Sequence, residues 1–158
     1  MWGNSHLYDI SHIYAVQQEC LPKALLGTDV LTQAKSGMGK TAIFVLAVLN
    51  RLDAKQEPIA TLVLCHTHEL AYQIKKEFLR FSKYLPDLKT EVIYGGEPIS
   101  VQEKMLTTGP PAILVGTPGR VLALIRRKIL KLDKVKFFIL DECDKMLSQL
   151  GKQSHRQL

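Results

Sequence analysis

The residues Ala34-Lys35-Ser36-Gly37-Met38-Gly39-Lys40-Thr41 bring two glycines, a lysine and a hydroxyl together at a spacing that suits a chain of phosphates. Gly37 and Gly39 permit a tight turn, so that backbone N–H groups from Ala34 to Gly39 can converge on one anion. A helix opening at Thr41 would add partial positive charge behind them. Lys40 would reach the terminal phosphates, and the Thr41 hydroxyl would hold a magnesium ion. A second cluster lies far downstream, where the apolar run Phe137-Phe138-Ile139-Leu140 ends in Asp141-Glu142. Ligands of open α/β sheets gather at the carboxyl ends of strands. Asp141 there would hold magnesium, usually through water, and Glu142 would orient and deprotonate an attacking water. Each cluster alone also fits an ordinary turn. Together they make Lys40, Asp141 and Glu142 catalytic candidates for nucleotide hydrolysis.

These groups need a scaffold, and strands alternate with helices along the chain. Tyr14 to Leu26 has helical spacing, with Pro22 predicting a kink or two pieces and Gly27 an end. Asp29 to Gln33 reads as a short strand leading into the glycine loop. Thr41 to Asp53 is apolar nearly all round, as in a buried helix. Ala60 to Cys65 reads as a strand buried on both faces. His68 to Tyr84 is an amphipathic helix with a stripe of Leu70, Ile74, Phe78 and Phe81, and with Lys75, Lys76, Arg80 and Lys83 in water. Strands follow at Glu91–Tyr94, Ala112–Val115 and Val135–Leu140, with helices from Ile99, from Pro118 and up to Leu150. The class is α/β with a mostly parallel sheet. Residues 1–10 read as loose, 11–150 as one domain and 151–158 as a polar tail.

The length of 158 residues suits a single domain, and 46% hydrophobic residues exclude a disordered chain. A formal net charge of +6 favours a polyanionic partner. Cys20, Cys65 and Cys143 are far apart, which suits free thiols in a reducing compartment. No histidine falls at zinc-ligand spacing with them. No signal peptide is evident, and the longest apolar run, Ala42 to Leu49, is too short to span a bilayer. These features predict a soluble intracellular protein.

The loop Ala34 to Thr41 followed by Asp141-Glu142-Cys143-Asp144 resembles the DEAD-box RNA helicases in their DECD variant. That family itself has alanine at the position of Ala34. Further motifs stand in the family's order: Gln17, Thr67-His68-Glu69-Leu70-Ala71, Gly95-Gly96 and Thr117-Pro118-Gly119-Arg120. The resemblance covers roughly Asp9 to Leu150 and is strongest to the branch acting in spliceosome assembly and mRNA export. It implies a RecA-like first lobe of the P-loop NTPase type, with ATP and Mg2+ as ligands. It implies that Gln17 reads adenine, and that Thr67, Gly96, Thr117 and Arg120 meet the RNA backbone without sequence preference. Splicing and export proteins would be partners, no membrane would be involved, and the location would be nuclear with a cytoplasmic share.

Several positions depart from the family. Ile10 stands where an aromatic residue stacks on adenine, Ile13-Tyr14 replaces a proline-threonine pair, and His68 replaces an arginine. No Ser-Ala-Thr motif and no second lobe follow. The strand carrying Ser-Ala-Thr separates the phosphate-loop strand from the Asp-Glu strand in this fold. Its loss predicts unpaired strand edges, poor folding and little turnover, as in a truncated product. Two other readings stay open, a non-catalytic module binding RNA or protein and a product without function. A small-molecule kinase fits the intervening motifs less well.

Overall fold

A computed structural model describes residues 15–33, 37, 39–52 and 58–154. The expectations placed on Ile10, Ile13, Tyr14, Ala34, Lys35, Ser36 and Met38 fall outside these residues. The chain divides into two units, one ending at Arg51 and one starting at Leu52.

In the first unit, helix α1 (Ala15–Leu25) packs against helix α2 (Lys40–Arg51). Helix α1 continues past Pro22 without a break, so the second of the two outcomes the sequence predicts there, two separate pieces, does not occur. The proline forfeits a single amide donor, and the carbonyl it would have served belongs to Gln18, an exposed residue that water can reach. Beyond Pro22 the bonding resumes, with Leu26 N donating to Pro22 O at 3.2 Å. Gly27 then ends the helix at φ +83°. The strand expected over Asp29 to Gln33 is absent. A strand exists only as part of a ladder, and this segment has no ladder partner among the described residues. Leu31 is accordingly 96% exposed.

The second unit holds four parallel strands, β1 (Thr61–Leu64), β2 (Thr90–Ile93), β3 (Ile113–Gly116) and β4 (Phe137–Leu140), in the order β2-β3-β1-β4. Helices α3 (His68–Phe81), α4 (Ile99–Thr108), α5 (Pro118–Arg126) and α6 (Cys143–Ser154) alternate with them. Parallel neighbours need crossover connections, and the helices supply them. All of β3 and most of β1 are buried, as their unbroken apolar character requires. Leu62, Ile93, Leu114, Val121 and Leu124 form the centre of one core cluster.

Three details differ from the sequence reading. The apolar stripe of α3 is Ala71, Ile74 and Phe78, while Leu70 is half-buried and Phe81 is exposed. At 3.6 residues per turn, Leu70 and Phe81 lie together at one margin of that stripe. Lys75 does not stand in water but pairs with Glu91 of β2 at 2.7 Å. Helix α6 continues to Ser154 and so includes part of the segment read as a tail.

Strand β4 lies at the end of the sheet and exposes alternate residues, Phe138 at 59% and Leu140 at 50%. Its outer backbone has no strand neighbour among the described residues, a template for pairing with another chain. The substitution F138K should reduce concentration-dependent light scattering while leaving the melting temperature nearly unchanged. At the other extreme of packing, a Cβ on Gly116 would stand 2.7 Å from Ile93 Cγ1 and 2.9 Å from Val121 Cγ2. The variant G116A should therefore lose about 1–3 kcal/mol in urea unfolding.

Candidate functional site

The parallel register brings the carboxyl ends of all four strands to one edge. Leu64 aligns with both Gly116 and Leu140, and Ile93 with Gly116. The ladder continues one residue further: Asp141 N donates to Leu64 O at 2.9 Å, Cys65 N to Gly116 O at 3.1 Å, and Thr117 N to Ile93 O at 3.1 Å. The turns that follow carry Thr67, Gly96, Thr117 and Glu142. The structure thus brings the predicted RNA-contacting residues and the acid pair to the same sheet edge.

Asp141 is 8% exposed. Glu142 turns the chain from β4 into α6 at φ +52°, a left-handed conformation that costs a side-chain-bearing residue about 1–2 kcal/mol. Its carboxylate lies 2.8 Å from Lys145 Nζ and 3.1 Å from His66 Nδ1. The histidine contact has ion-pair distance without hydrogen-bond alignment. Contact with Glu142 holds the Lys145 pKa above its ordinary value. Beneath them, burial pushes the Cys65 thiol up to about 12, and the charges of Asp141 and Glu142 add to the shift.

The RNA-motif residues are held in different ways. Thr67 caps α3, its hydroxyl accepting from Leu70 N at 3.2 Å. His68 stacks on Tyr94 with ring centroids 5.5 Å apart and pairs with Glu69 at 2.7 Å. Thr117 precedes α5, Pro118 fills the first helical position, and the threonine hydroxyl makes no capping bond. Gly96 adopts φ +102°, which only glycine takes easily. Arg120 points inward, with Nη1 donating to Gln102 Oε1 at 3.0 Å and Nη2 to Glu97 O at 2.8 Å.

In the first unit, Gly37 and Gly39 have φ +82° and +73°, and α2 begins immediately after them at Lys40. A hypothetical Cβ on Gly37 meets nothing within 4 Å. Positive-φ glycines opening onto a helix N-terminus fit a phosphate chain, and the Thr41 hydroxyl is of the donor type that magnesium accepts. Gln17 donates from Nε2 to Gly39 O at 3.2 Å, which ties α1 to the glycine loop.

Gln102, His66 and Lys145 escaped the sequence reading. Gln102 has a signal in hindsight, because it shares the helical face of Ile99 and Leu106 and so is a polar residue on an apolar stripe. Lys145 stands three residues after Glu142, a spacing legible in the sequence, whereas His66 carries no such signal, since only folding brings Cys65-His66-Thr67 beside the turn after β4.

The sequence profile of DEAD/DEAH box helicases matches residues 14–158. ATP-dependent RNA helicase sub2 of Aspergillus fumigatus is 58% identical over 145 residues, 90% of this chain and 32% of that protein. DEAD-box ATP-dependent RNA helicases 15 and 56 of Arabidopsis thaliana are each 58% identical over 139 residues, 88% of this chain and 33% of theirs. The chain therefore spans about a third of the length of the curated relatives it matches. A crystal structure of a hypothetical ATP-dependent RNA helicase from Sulfolobus tokodaii superposes with a TM-score of 0.76 at 30% identity, over 87% of this chain and 39% of that one. The resemblance and the RecA-like parallel α/β class are both borne out.

Cysteine chemistry probes the site's packing. Cys143 is exposed and Cys65 is buried. Iodoacetamide should label Cys143 promptly in the folded chain and Cys65 only after denaturation, as read by peptide mass spectrometry. The raised pKa of Cys65 has a definite sign: the neutral thiol favours the fold below about pH 9, and that contribution is lost as pH rises towards about 12.

Proposed function

Because the chain belongs to the DEAD/DEAH box helicase family, we propose that it forms the ATP- and RNA-binding part of an ATP-dependent RNA helicase. The observation that carries this reading is the sheet edge at which Thr67, Gly96, Thr117 and the Asp141-Glu142 pair all emerge. The relatives' names describe ATP-dependent RNA helicases, which supports ATP as the nucleotide.

Each group has a role in keeping with its chemistry. Backbone N–H groups of residues 34–39 bind the phosphate oxygens, and the Lys40 ammonium offsets charge on the terminal phosphates. Gln17 reads the adenine edge while its bond to Gly39 O ties that reading to the loop. Thr41 and Asp141 would hold a magnesium ion, which supplies charge neutralisation on the phosphates. The Glu142 carboxylate orients a water and accepts its proton as the water oxygen attacks the terminal phosphorus, releasing ADP and inorganic phosphate. Lys145 fixes that carboxylate's direction, and His66 stands beside it. Thr67, Gly96, Thr117 and Arg120 meet phosphate and sugar oxygens of single-stranded RNA, contacts that carry no sequence information.

The likeness to the DECD branch supports work on messenger RNA in splicing and export, within the nucleus. Among the described residues no helix is long and apolar enough to cross a membrane.

Thermal melting during titration with ATP and magnesium tests the reading. Binding to the folded chain should raise the melting temperature, by about 2.7 kcal/mol of added stability at a hundredfold excess over Kd. K40A should abolish that shift while leaving the ligand-free melting temperature within about 2 °C of the parent. A shift that survives K40A unchanged would remove the glycine loop from the reading.

A further inference from the structure

We propose that Gln102 is the positioning residue of the RNA-contacting edge, holding the Gly95-Gly96 turn and Arg120 in one fixed relation. The proposal rests on the reading above, in which Gly96, Thr117 and Arg120 meet RNA.

Gln102 is 1% exposed, in the middle of α4 and on the face it shares with the buried Leu106. A hydrocarbon side chain is the expected occupant of such a position. A buried amide is tolerated only when its hydrogen-bonding groups are matched, and here they are. Its Nε2 donates to Tyr94 O at 3.1 Å and to Glu97 Oε2 at 2.8 Å. Its Oε1 accepts from Arg120 Nη1 at 3.0 Å. Arg120 Nη2 closes the circuit on Glu97 O at 2.8 Å.

The circuit reaches both ends of the glycine pair. Tyr94 precedes it and Glu97 follows it, and each has its carbonyl bonded by a side chain from another element. Between these two points lies Gly96 at φ +102°, a residue with little conformational preference of its own. Without the two attachments the turn would have to be ordered by RNA on binding, which lowers affinity. The same circuit draws Arg120 inward. A guanidinium has five N–H donors and the circuit takes two of them, so Arg120 can brace the turn and still meet a phosphate. Gln102 itself touches no RNA in this arrangement; it acts through the turn and through Arg120.

The test uses the 158-residue chain, a fluorescein-labelled single-stranded oligouridine at fixed low salt, and hydrogen exchange of the backbone. Q102L should weaken RNA binding about tenfold in anisotropy titrations. It should speed amide exchange at residues 95–97 and leave exchange in β1 and β3 as in the parent. The double variant Q102L/R120A should lose less than the sum of the two single losses, because both break one circuit. A residue that merely fills space in α4 would instead give additive losses. If Q102L loses the slow exchange of β1, R120K takes its place, since it breaks the circuit from its half-buried end; faster exchange at 95–97 is again expected, and unchanged exchange there overturns the proposal. T117A separates the two levels of inference. If T117A weakens binding and Q102L changes it less than twofold, the positioning role is wrong and the RNA reading stands. If the parent chain binds no oligouridine, or T117A leaves binding unchanged, the RNA reading fails and the proposal fails with it.

Discussion

The amides of Asp141, Cys65 and Thr117 donate to the carbonyls of Leu64, Gly116 and Ile93 at 2.9, 3.1 and 3.1 Å. These bonds extend the ladder one residue beyond the strands and lock their carboxyl ends into a common row. A one-residue slip of any strand would turn its side chains to the opposite face. Thr117 would no longer stand beside Ile93, and Asp141 would leave its place beside Leu64. Every candidate contact in the second unit follows from this register, and the close packing of Gly116 against Ile93 and Val121 shows how little slack it has.

Several polar groups around that edge have specific partners, and this limits how the turns can move. Gln102 and Arg120 hold the turn after β2, while His66 and Lys145 flank the carboxylate after β4. The two arrangements differ in environment. The amide of Gln102 is 1% exposed, so leaving any of its bonds unmade is costly. The Glu142–Lys145 pair is open to water and screened by salt, and contributes direction more than stability. A left-handed Glu142 beside a buried Asp141 concentrates both strain and charge at the turn after β4.

At the far side of the sheet the constraint is released. Strand β4 is as apolar as β1 in sequence, yet it alternates between half-buried and exposed residues. Successive side chains point to opposite faces, so the face carrying Phe138 and Leu140 is the less covered one, and β4 has a strand on one side only. The segment Asp29 to Gln33 illustrates the same rule more severely. It reads as a strand in its residue types and adopts none, for want of a ladder partner among the described residues.

The sequence by itself determined the alternation of helices and strands, the parallel α/β class and the family. Those properties are local: hydrophobic period, turn residues and motif spacing are all written in short stretches of chain. Only the tertiary structure decided which strands have neighbours, which margin of α3 stays wet, and that Lys75 pairs with Glu91. It also decided that Arg120 faces Gln102, and that His66 stands beside Glu142. These depend on residues distant in sequence, whose meeting is set by the order β2-β3-β1-β4 and its register, and no local pattern records that order.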